Sequence, residues 1–541
     1  MHLQKLDKNG ASYGHEPPTP QPLTPVKHRS LPRKCLLALL LGALALPPAW
    51  PQSAALPGLG NGEGISLGTE RQLGDRIARE LYRDPDYLED PVLDEYIQRL
   101  WTPLLKAATA RGELSAELQE RFAWRILLGR DRSVNAFALP GGYLGVHLGL
   151  IAVVSSNDEL ASVLAHELSH VTQRHIARSM DTEAKMSPLV IGAMLLGVLA
   201  ASKSPQSAQA LIVGGQAAAI QSQLSYSRDM EREADRVGYG ILTDAGYDPQ
   251  GFVGMFGKLQ QAAGVNDNGA YPYLRSHPLT TERMADMQSR QTLGRPPSGP
   301  SNDLARAMLS ARARVMSQNS AEAMAAWAQR GQETLPQASL VQKVGALYAA
   351  VLAQQQLRNP QAAEQSLQAL SLLVSSASPS DTPQAQYAQR LVRLLRAEVA
   401  FRQERFEDAL KWLPSLRQQP IERPELMATA EALLRLPAHP GQAGITQQLR
   451  DQVTQVPHDA QAWNTLARLL AMQGQALASL RAEGEAQLAR MDWSGAADRF
   501  RAAQAWAKSH SLQPADLIEA SIVDTRLRQV QARIREMQTE R

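Results

Sequence analysis

Two short segments of this chain, HELSH at residues 166–170 and EREAD at residues 231–235, restrict its possible folds more than any other feature. His166 and His170 are four residues apart, so on a helix they lie on one face and can bind the same metal ion. Glu231 offers a carboxylate that suits the third position of a zinc site. The fold must therefore bring two helices that are distant in sequence to one ion.

Glu167 and Asp235 would complete such a site. Glu167 points in a neighbouring direction, where it can take a proton from a water at the open fourth position and pass it to a leaving amine. Asp235 follows Glu231 by one turn and can orient a ligand histidine through its other ring nitrogen. The three ligands and Glu167 are the minimum for peptide-bond hydrolysis with zinc, so the sequence predicts a metalloprotease that binds one zinc ion per chain.

The surroundings of both segments predict helices. Ser156 and Glu159 have the spacing of a capping box, and apolar residues then recur on one helical stripe: Leu160, Val163, Leu164, Leu168 and Val171. The second helix is predicted from about Ser222 to a C-cap at Gly246. Two alternatives stay open on spacing alone. The histidines could simply pack in a helical core, and the acids could belong to a solvated, salt-bridged face.

Four segments, in this order, resemble the gluzincin metallopeptidases, a family that includes HtpX, the CAAX prenyl protease and the BepA-like periplasmic proteins. They are NAFALPGGYLGVHLGLI at 135–151, LASVLAHELSHVTQRH at 160–175, SYSRDMEREADRVG at 225–238 and SHPLTTERM at 276–284. The resemblance implies an α+β, mostly α fold, with a zincin-type domain that contains a small sheet. It also implies the site roles: zinc bound by His166, His170 and Glu231, Glu167 as the catalytic base, and Asp235 behind the ligands.

The segment 143–151, YLGVHLGLI, follows a Pro-Gly-Gly turn and is predicted to be a strand with glycine interruptions. In the family that the chain resembles, this strand borders the active-site cleft, where an exposed edge can pair with an extended substrate. Such backbone pairing implies a weak sequence preference. The alternative is a plain sheet element that binds no substrate. His147 is expected to be a side chain of the pleat and not a ligand.

His277 is the histidine whose role the sequence leaves most open. The SHP segment places it in an extended turn before Pro278. The resemblance implies a position near the zinc, where His277 could occupy the fourth position and silence the enzyme, or could stabilise the oxyanion as a catalytic group. Our hypothesis is a displaceable fourth ligand. His175 is not at a ligand spacing from His170, and we expect a structural role for it.

Between the two predicted ligand helices lies an apolar segment, PLVIGAMLLGVLAAS at 188–202, which is shorter than the roughly 20 residues that span a bilayer. With the small residues of 208–221, it is predicted to form a helical hairpin or lid over the cleft. The alternative is an element that dips into a membrane surface and makes a peripheral contact.

The N-terminus predicts export. Basic residues precede the apolar run CLLALLLGALAL, and small residues at 53–55 suit cleavage, so residues 1–55 are predicted to be a signal peptide with an unusual N-terminal extension. Cys35, the one cysteine, would be removed with it. The same residues contain six Lys/Arg and two Asp/Glu, so the formal charge of +3 becomes −1 without them, and the nearly neutral remainder gives no sign of nucleic-acid binding. The predicted location is the periplasm of a Gram-negative bacterium.

The composition predicts a protease domain at 56–295, a linker at 296–303 that belongs to the Pro- and Gly-rich segment GRPPSGPSND, and an all-α domain at 304–541. In the last domain, a turn followed by a small residue recurs at Ala323, Ala363, Ala409 and Ala497. The spacing is irregular, so we predict a degenerate solenoid like those of tetratricopeptide repeats, with a concave surface for peptides or proteins. The alternative is a plain helical bundle that stabilises the protease.

Together these features predict an exported zinc endopeptidase in envelope protein quality control. The resemblance implies unfolded or misassembled outer-membrane proteins as substrates, and contact with the β-barrel assembly machinery through the repeat domain. The alternative of another class is a chaperone or assembly factor whose protease site is mostly shut, and which acts by binding through the repeat domain.

Overall fold

The computed structural model of the protein describes residues 65–182, 227–263, 270–290, 303–333, 338–377, 382–415 and 421–539. The predicted signal peptide 1–55, the apolar segments 188–202 and 208–221 and nearly all of the predicted linker 296–303 lie outside these residues. The described residues all belong to one unit, Gly62–Arg541. We refer to residues 65–290 as the N-terminal part and to residues 303–539 as the C-terminal part.

The N-terminal part contains one four-stranded sheet among helices. Its elements are α1 (Leu67–Arg83), β1 (Tyr87–Leu88), α2 (Pro91–Ala110), α3 (Ala116–Arg121), β2 (Arg125–Gly129), β3 (Ala136–Leu139), β4 (Tyr143–His147), α4 (Leu148–Val153), α5 (Asn157–Thr172), α6 (His175–Thr182), α7 (Arg228–Asp244), α8 (Gln250–Ala263), α9 (Tyr273–Ser276) and α10 (Thr281–Ser289). The predicted α+β class with a small sheet is thus confirmed.

The sheet is mixed, with the strand order β1-β2-β4-β3. β4 runs parallel to β2, with Leu144 opposite Ile126, and antiparallel to β3, with Gly145 opposite Phe137. β4 is therefore an interior strand. Among the described residues, β3 pairs with one strand only, so its other side is the sheet edge on the flank of β4 opposite β2.

The predicted strand over 143–151 is wrong in its second half. β4 ends at His147, and Leu148 begins the short helix α4, whose residues 148–152 are all buried. A short apolar run fits a buried helix as well as a buried strand, and periodicity does not separate the two. The expectation that this strand offers an exposed edge is also wrong, because β4 is paired on both sides. β3 has the edge position instead.

Helix α5 begins as the sequence predicts. The Ser156 hydroxyl accepts a hydrogen bond from the Glu159 backbone N–H at 3.1 Å, which satisfies one of the free donors of the first turn. The Glu159 carboxylate accepts from the backbone N–H of Ser155, at 2.5 Å, and not from that of Ser156. Every residue from Glu159 to Thr172 is buried. A helix that is buried on all sides can hold charged groups in a site that excludes bulk water.

Helix α7 begins after Ser227, whose hydroxyl accepts from the Met230 backbone N–H. Of the predicted start near Ser222, residues 222–226 lie outside the described range. The predicted end at Gly246 is confirmed: this glycine has φ +88°, and its N–H and that of Tyr247 bond to the last turn as in a Schellman motif. At Gly238, a Cβ would lie 3.1 Å from the Ala165 carbonyl oxygen. α7 therefore approaches α5 very closely.

The regular elements described in the C-terminal part are all helices. Its elements are α11 (Leu304–Met316), α12 (Ala321–Gln332), α13 (Leu340–Gln356), α14 (Pro360–Ala377), α15 (Pro383–Arg402), α16 (Phe406–Lys411), α17 (Arg423–Leu433), α18 (Gln442–Gln455), α19 (Ala460–Met472), α20 (Ala476–Ala489), α21 (Trp493–Ser509) and α22 (Pro514–Thr539). Three of the four marked alanines, Ala363, Ala409 and Ala497, are buried, and Ala323 is half-buried. The tetratricopeptide solenoid and the domain boundaries stay predictions.

The two parts share buried contacts. One apolar cluster contains residues of both, among them Trp101 of α2 and Met308 of α11. The acidic segment Glu89–Glu95, which begins α2, also pairs with arginines of the C-terminal part: Glu89 with Arg490, Asp90 with Arg312, Asp94 with Arg423, and Glu95 with Arg390. Four acidic side chains of one short segment thus form ion pairs with four different segments of the C-terminal part.

Candidate metal centre

The two histidines of α5 meet as their spacing predicts. The Nε2 atoms of His166 and His170 are 3.0 Å apart, and both side chains are buried. Two ring nitrogens at this distance need either a shared proton or a shared cation between them. Their remaining nitrogens, the Nδ1 atoms, point away toward other groups of the protein.

Glu231 reaches the same point from α7. Its Oε2 lies 3.5 Å from His166 Nε2, and its Oε1 lies 3.5 Å from His170 Nε2. Its carboxylate is also buried. The close approach of α7 to α5 at Gly238, two turns further along α7, makes this meeting possible.

His277 is the fourth member of the group. It caps α9 at its C-terminal end, and its Nδ1 lies 3.0 Å from Glu231 Oε1 and 3.3 Å from His166 Nε2. The ring of Tyr273, one turn earlier, stacks on the His277 ring with 4.5 Å between centroids. This packing holds His277 in place beside the other three residues, as the sequence hypothesis of a fourth ligand requires.

Glu167 lies next to this group without joining it. Its side chain is completely buried, and within the described part of the chain neither carboxylate oxygen has an aligned hydrogen-bond partner. His277 lies beside it, with Nε2 3.4 Å from Oε1. A buried carboxylate with open acceptor positions is costly unless something else fills them. A water or substrate group at the centre would fill them.

Asp235 and Arg283 lie behind the ligands. Asp235 Oδ1 is 3.0 Å from His166 Nδ1, so it can hold that ring by its second nitrogen. Arg283 of α10 donates to both oxygens of Asp235, at 2.6 and 2.8 Å, and its other nitrogen lies 2.6 Å from Glu231 Oε2. One guanidinium thus fixes two carboxylates of α7. The sequence alone gives Arg283 no role, although this residue lies in the segment SHPLTTERM.

A second set of contacts lies behind His170. Its Nδ1 is 2.9 Å from Nδ1 of His175, the first residue of α6. His175 Nε2 is in turn 3.1 Å from Glu233 Oε2, and Arg178 also pairs with that oxygen at 2.7 Å. His175 is fully buried. It is not a member of the metal-binding group, in agreement with the expectation that it is not a ligand.

The charges of the centre favour a bound cation. Burial lowers the pKa of His166, but the Asp235 and Glu231 carboxylates beside its ring outweigh burial and raise it to about 9. Burial raises the pKa of Glu231, and the attraction of His277 and His166 outweighs this and holds it well below the usual range. The Glu231 carboxylate therefore stays ionised in a buried place beside a protonated His166, and a metal ion at the same point would replace that proton as its positive partner.

The arrangement fits a metal ion. One donor atom each from His166, His170, Glu231 and His277 lies within 4.8 Å of all the others. Tetrahedral zinc, with bonds of roughly 2.0–2.1 Å, places its ligand atoms about 3.3 Å apart. This is close to the 3.0 Å between the two α5 nitrogens and to the 3.5 Å from each of them to a Glu231 oxygen. Two imidazoles, a carboxylate and a fourth nitrogen are a donor set that zinc accepts.

His147, in the interior strand β4, is not part of the centre. Its Nδ1 is 2.9 Å from the Ser133 hydroxyl, and its ring meets the Phe137 ring edge-on. The expectation that it is a side chain of the pleat and not a ligand agrees with this position.

Comparison with known proteins finds a family that is similar to the part of the chain around these residues. The description "Peptidase family M48" matches residues 94–291, which contain every residue of the centre. Residues 94–291, which we call the M48 segment, are thus similar to the members of this family. The metallopeptidase resemblance inferred from the sequence is therefore confirmed for the M48 segment.

Relatives of this M48 segment carry protease names. The chain is 34% identical over 270 residues to the β-barrel assembly-enhancing protease of Escherichia coli strain K12, which is 49% of this chain and 53% of that protein. A counterpart from Vibrio cholerae is 37% identical over 262 residues, 48% of this chain and 52% of that protein. The mitochondrial metalloendopeptidase OMA1 of Arabidopsis thaliana is 32% identical over 196 residues, 36% of each chain. The chain spans about half the length of the first two relatives.

Proposed function

We propose that this chain is a zinc-dependent endopeptidase of envelope protein quality control that degrades misfolded or stalled outer-membrane proteins. The observation that carries the proposal is the buried meeting of His166, His170 and Glu231, with the open carboxylate of Glu167 beside them. The family of the M48 segment and the protease names of its relatives support the same chemistry.

Each residue of the centre would have a separate role in the reaction. His166 and His170 would bind zinc through Nε2, and Glu231 would bind it through its carboxylate. When bound, the ion supplies Lewis acidity that polarises the scissile carbonyl and makes a nearby water more acidic. Glu167 accepts the proton of the attacking water and delivers it to the leaving amine. Asp235 holds the His166 ring by Nδ1, so that its Nε2 lone pair faces the ion.

The edge position of β3 supports the proposal that the substrate binds in an extended conformation. α5 packs against β3, so a peptide added to this edge would run past the ligand helix. Pairing through backbone hydrogen bonds requires little of the substrate sequence. It does require that the substrate be unfolded, because a folded β-barrel has no free strand to offer. This requirement agrees with substrates that have failed to assemble.

The cellular setting follows from the N-terminal sequence and the relatives. We propose export to the periplasm through residues 1–55, contact with the β-barrel assembly machinery through the C-terminal part, and a peripheral membrane contact through 188–202. Within the residues that the structure describes, no helix is both long and apolar enough to cross a membrane. The name of the Escherichia coli relative refers to β-barrel assembly, which supports outer-membrane proteins as the substrate class.

The test is cleavage of an unfolded outer-membrane β-barrel protein by the zinc-loaded chain, beside Glu167→Gln. The variant should keep its zinc and lose cleavage by roughly 10²–10⁴-fold, because the amide cannot accept the proton. Cleavage by the wild type alone supports the proposal and the role of Glu167. Equal cleavage by both proteins would contradict that role, and absence of zinc from the wild type would contradict the proposed function.

The position of His277 favours a second function, a gated assembly factor that acts mainly by binding. With Nδ1 at 3.3 Å from His166 Nε2, His277 would occupy the fourth position of the ion and exclude water. His277→Ala would then raise basal proteolysis while zinc stays bound. Loss of activity with zinc retained would instead favour His277 as the catalytic group that stabilises the oxyanion.

A further inference from the structure

His175 joins one candidate zinc ligand to a carboxylate that lies outside the centre. On one side its Nδ1 is 2.9 Å from His170 Nδ1. On the other side its Nε2 is 3.1 Å from Glu233 Oε2. The three groups form a line from α5 through the start of α6 to α7, and His170 faces the metal-binding group at the end of that line.

The hydrogen bonds along this line are consistent with only one proton arrangement that permits metal binding. To bind an ion through Nε2, a neutral His170 must have its proton on Nδ1. His175 Nδ1 must then accept, so a neutral His175 has its own proton on Nε2. That proton faces the Glu233 carboxylate, which only accepts hydrogen bonds.

The reverse arrangement is unfavourable at both ends. If His175 donated through Nδ1, the His170 proton would lie on Nε2 and block the ion. The bare Nε2 of His175 would then face an ionised carboxylate at 3.1 Å, lone pair against negative charge. Through His175, Glu233 therefore selects the tautomer of His170 that can bind a metal ion.

We propose that His175 and Glu233 are positioning residues that hold His170 in its metal-binding tautomer and orientation. This inference rests on the proposed function, because it concerns the same zinc site. At His166 the acid acts without an intermediate residue, because Asp235 Oδ1 lies 3.0 Å from its Nδ1. Each histidine ligand is thus held by an acid of α7, one directly and the other through His175.

The experiment measures zinc affinity of the folded full chain by competition with a chromophoric chelator. His175→Phe keeps the ring volume and removes both hydrogen bonds, and it should raise the zinc Kd by roughly 10–100-fold, as loss of groups behind a ligand does. His175→Asn places an amide oxygen near the Nδ1 position and should recover much of the affinity. Glu233→Gln can present either oxygen or N–H to His175, so it should weaken zinc binding by a smaller factor.

Asp229→Asn is the matched control. It removes a carboxylate from the same helix, one that pairs with Arg232 at the surface with a side chain 91% exposed, and it should leave the zinc Kd unchanged. The cobalt-substituted proteins provide a second readout. The visible spectrum of cobalt reports ligand geometry, so His175→Phe should shift the spectrum and Asp229→Asn should not.

An unchanged zinc Kd and cobalt spectrum in His175→Phe would overturn the inference. So would a His175→Asn variant as weak as His175→Phe, because the effect would then come from packing and not from the hydrogen bond. If His175→Phe does not fold, Glu233→Gln decides, since an unchanged Kd there refutes the selection of the tautomer. A wild-type chain that binds zinc no better than a His166→Ala/His170→Ala variant would instead overturn the proposed function itself.

Discussion

Removal of the Arg312 guanidinium should destabilise the protein strongly, because it leaves a buried charge behind. Arg312 of α11 donates to both oxygens of Asp90, at 2.6–3.0 Å, and to Glu398 at 2.8 Å. The side chains of Arg312 and Asp90 are 8% and 5% exposed. Arg312→Met keeps much of the volume and removes the charge, so the Asp90 carboxylate loses its cationic partner in a place that water hardly reaches.

The size of the effect follows from this burial. Breaking one partner of a buried ion pair costs about 3–5 kcal/mol in the free energy of unfolding. Asp90 keeps one hydrogen bond, from the Leu93 backbone N–H at 2.9 Å, and Glu398 is 26% exposed and can rehydrate. We therefore expect a loss near the lower end, about 3 kcal/mol.

Two further variants test the reasoning. In Arg312→Met/Asp90→Asn the buried charge is gone, and asparagine still caps α2, so much of the loss should be recovered. Arg468→Met is the control, because Arg468 also pairs between helices, with Glu431 at 2.6 Å, but at 49% exposure. It should cost under about 1 kcal/mol. Urea unfolding followed by tryptophan fluorescence gives all four values, since Trp101 is buried in α2. A double variant less stable than Arg312→Met, or equal losses in Arg312→Met and Arg468→Met, would refute the argument.

Three further outcomes are expected. Arg283→Lys should weaken zinc binding by roughly 10–100-fold in chelator competition, because one ammonium cannot hold Asp235 and Glu231 at once as the guanidinium does; unchanged affinity would contradict this. Gly238→Val should also weaken zinc binding, since its side chain would push α7 away from the Ala165 carbonyl; an unchanged Kd would show that α7 can shift freely. Burial raises the pKa of Asp459, but Arg423 outweighs this and lowers it, so its contribution to stability is present above the ordinary aspartate pKa of about 3.9 and is lost as the pH falls further. Asp459→Asn should therefore be less stable at pH 7 and depend less on pH below about 3.9 in acid unfolding, and an acid transition like that of the wild type would refute it.

The sequence was sufficient for the residues of the centre that follow helical spacing. His166 and His170 are one turn apart, as are Glu231 and Asp235, so one periodicity places each pair on a face. The family resemblance brought His277 to the same place. Local signals also predicted the start of α5, after Ser156, and the end of α7, at Gly246.

The sequence was not sufficient where partners come from distant segments. Arg283 contacts Asp235 across 48 residues, and no spacing rule predicts such a pair. His175 has no ligand spacing, so only the folded chain shows that its two nitrogens face His170 and Glu233. The prediction of a strand over 148–151 was wrong for another reason. A short buried apolar run suits both a strand and a helix, and packing decides between them.

Helix α7 therefore controls the centre from two sides. Glu231 and Asp235, four residues apart, share the face that meets α5, whereas Glu233 pairs with His175 and Arg178 of α6. One ligand and the acids behind both histidines thus belong to a single helix. A displacement of α7 would lengthen all three contacts together, so zinc affinity should respond to its position far more steeply than it would if separate loops supplied these groups. Arg283 and the close packing at Gly238 oppose that displacement at two points of α7. Both should therefore affect zinc binding, although neither residue is a ligand.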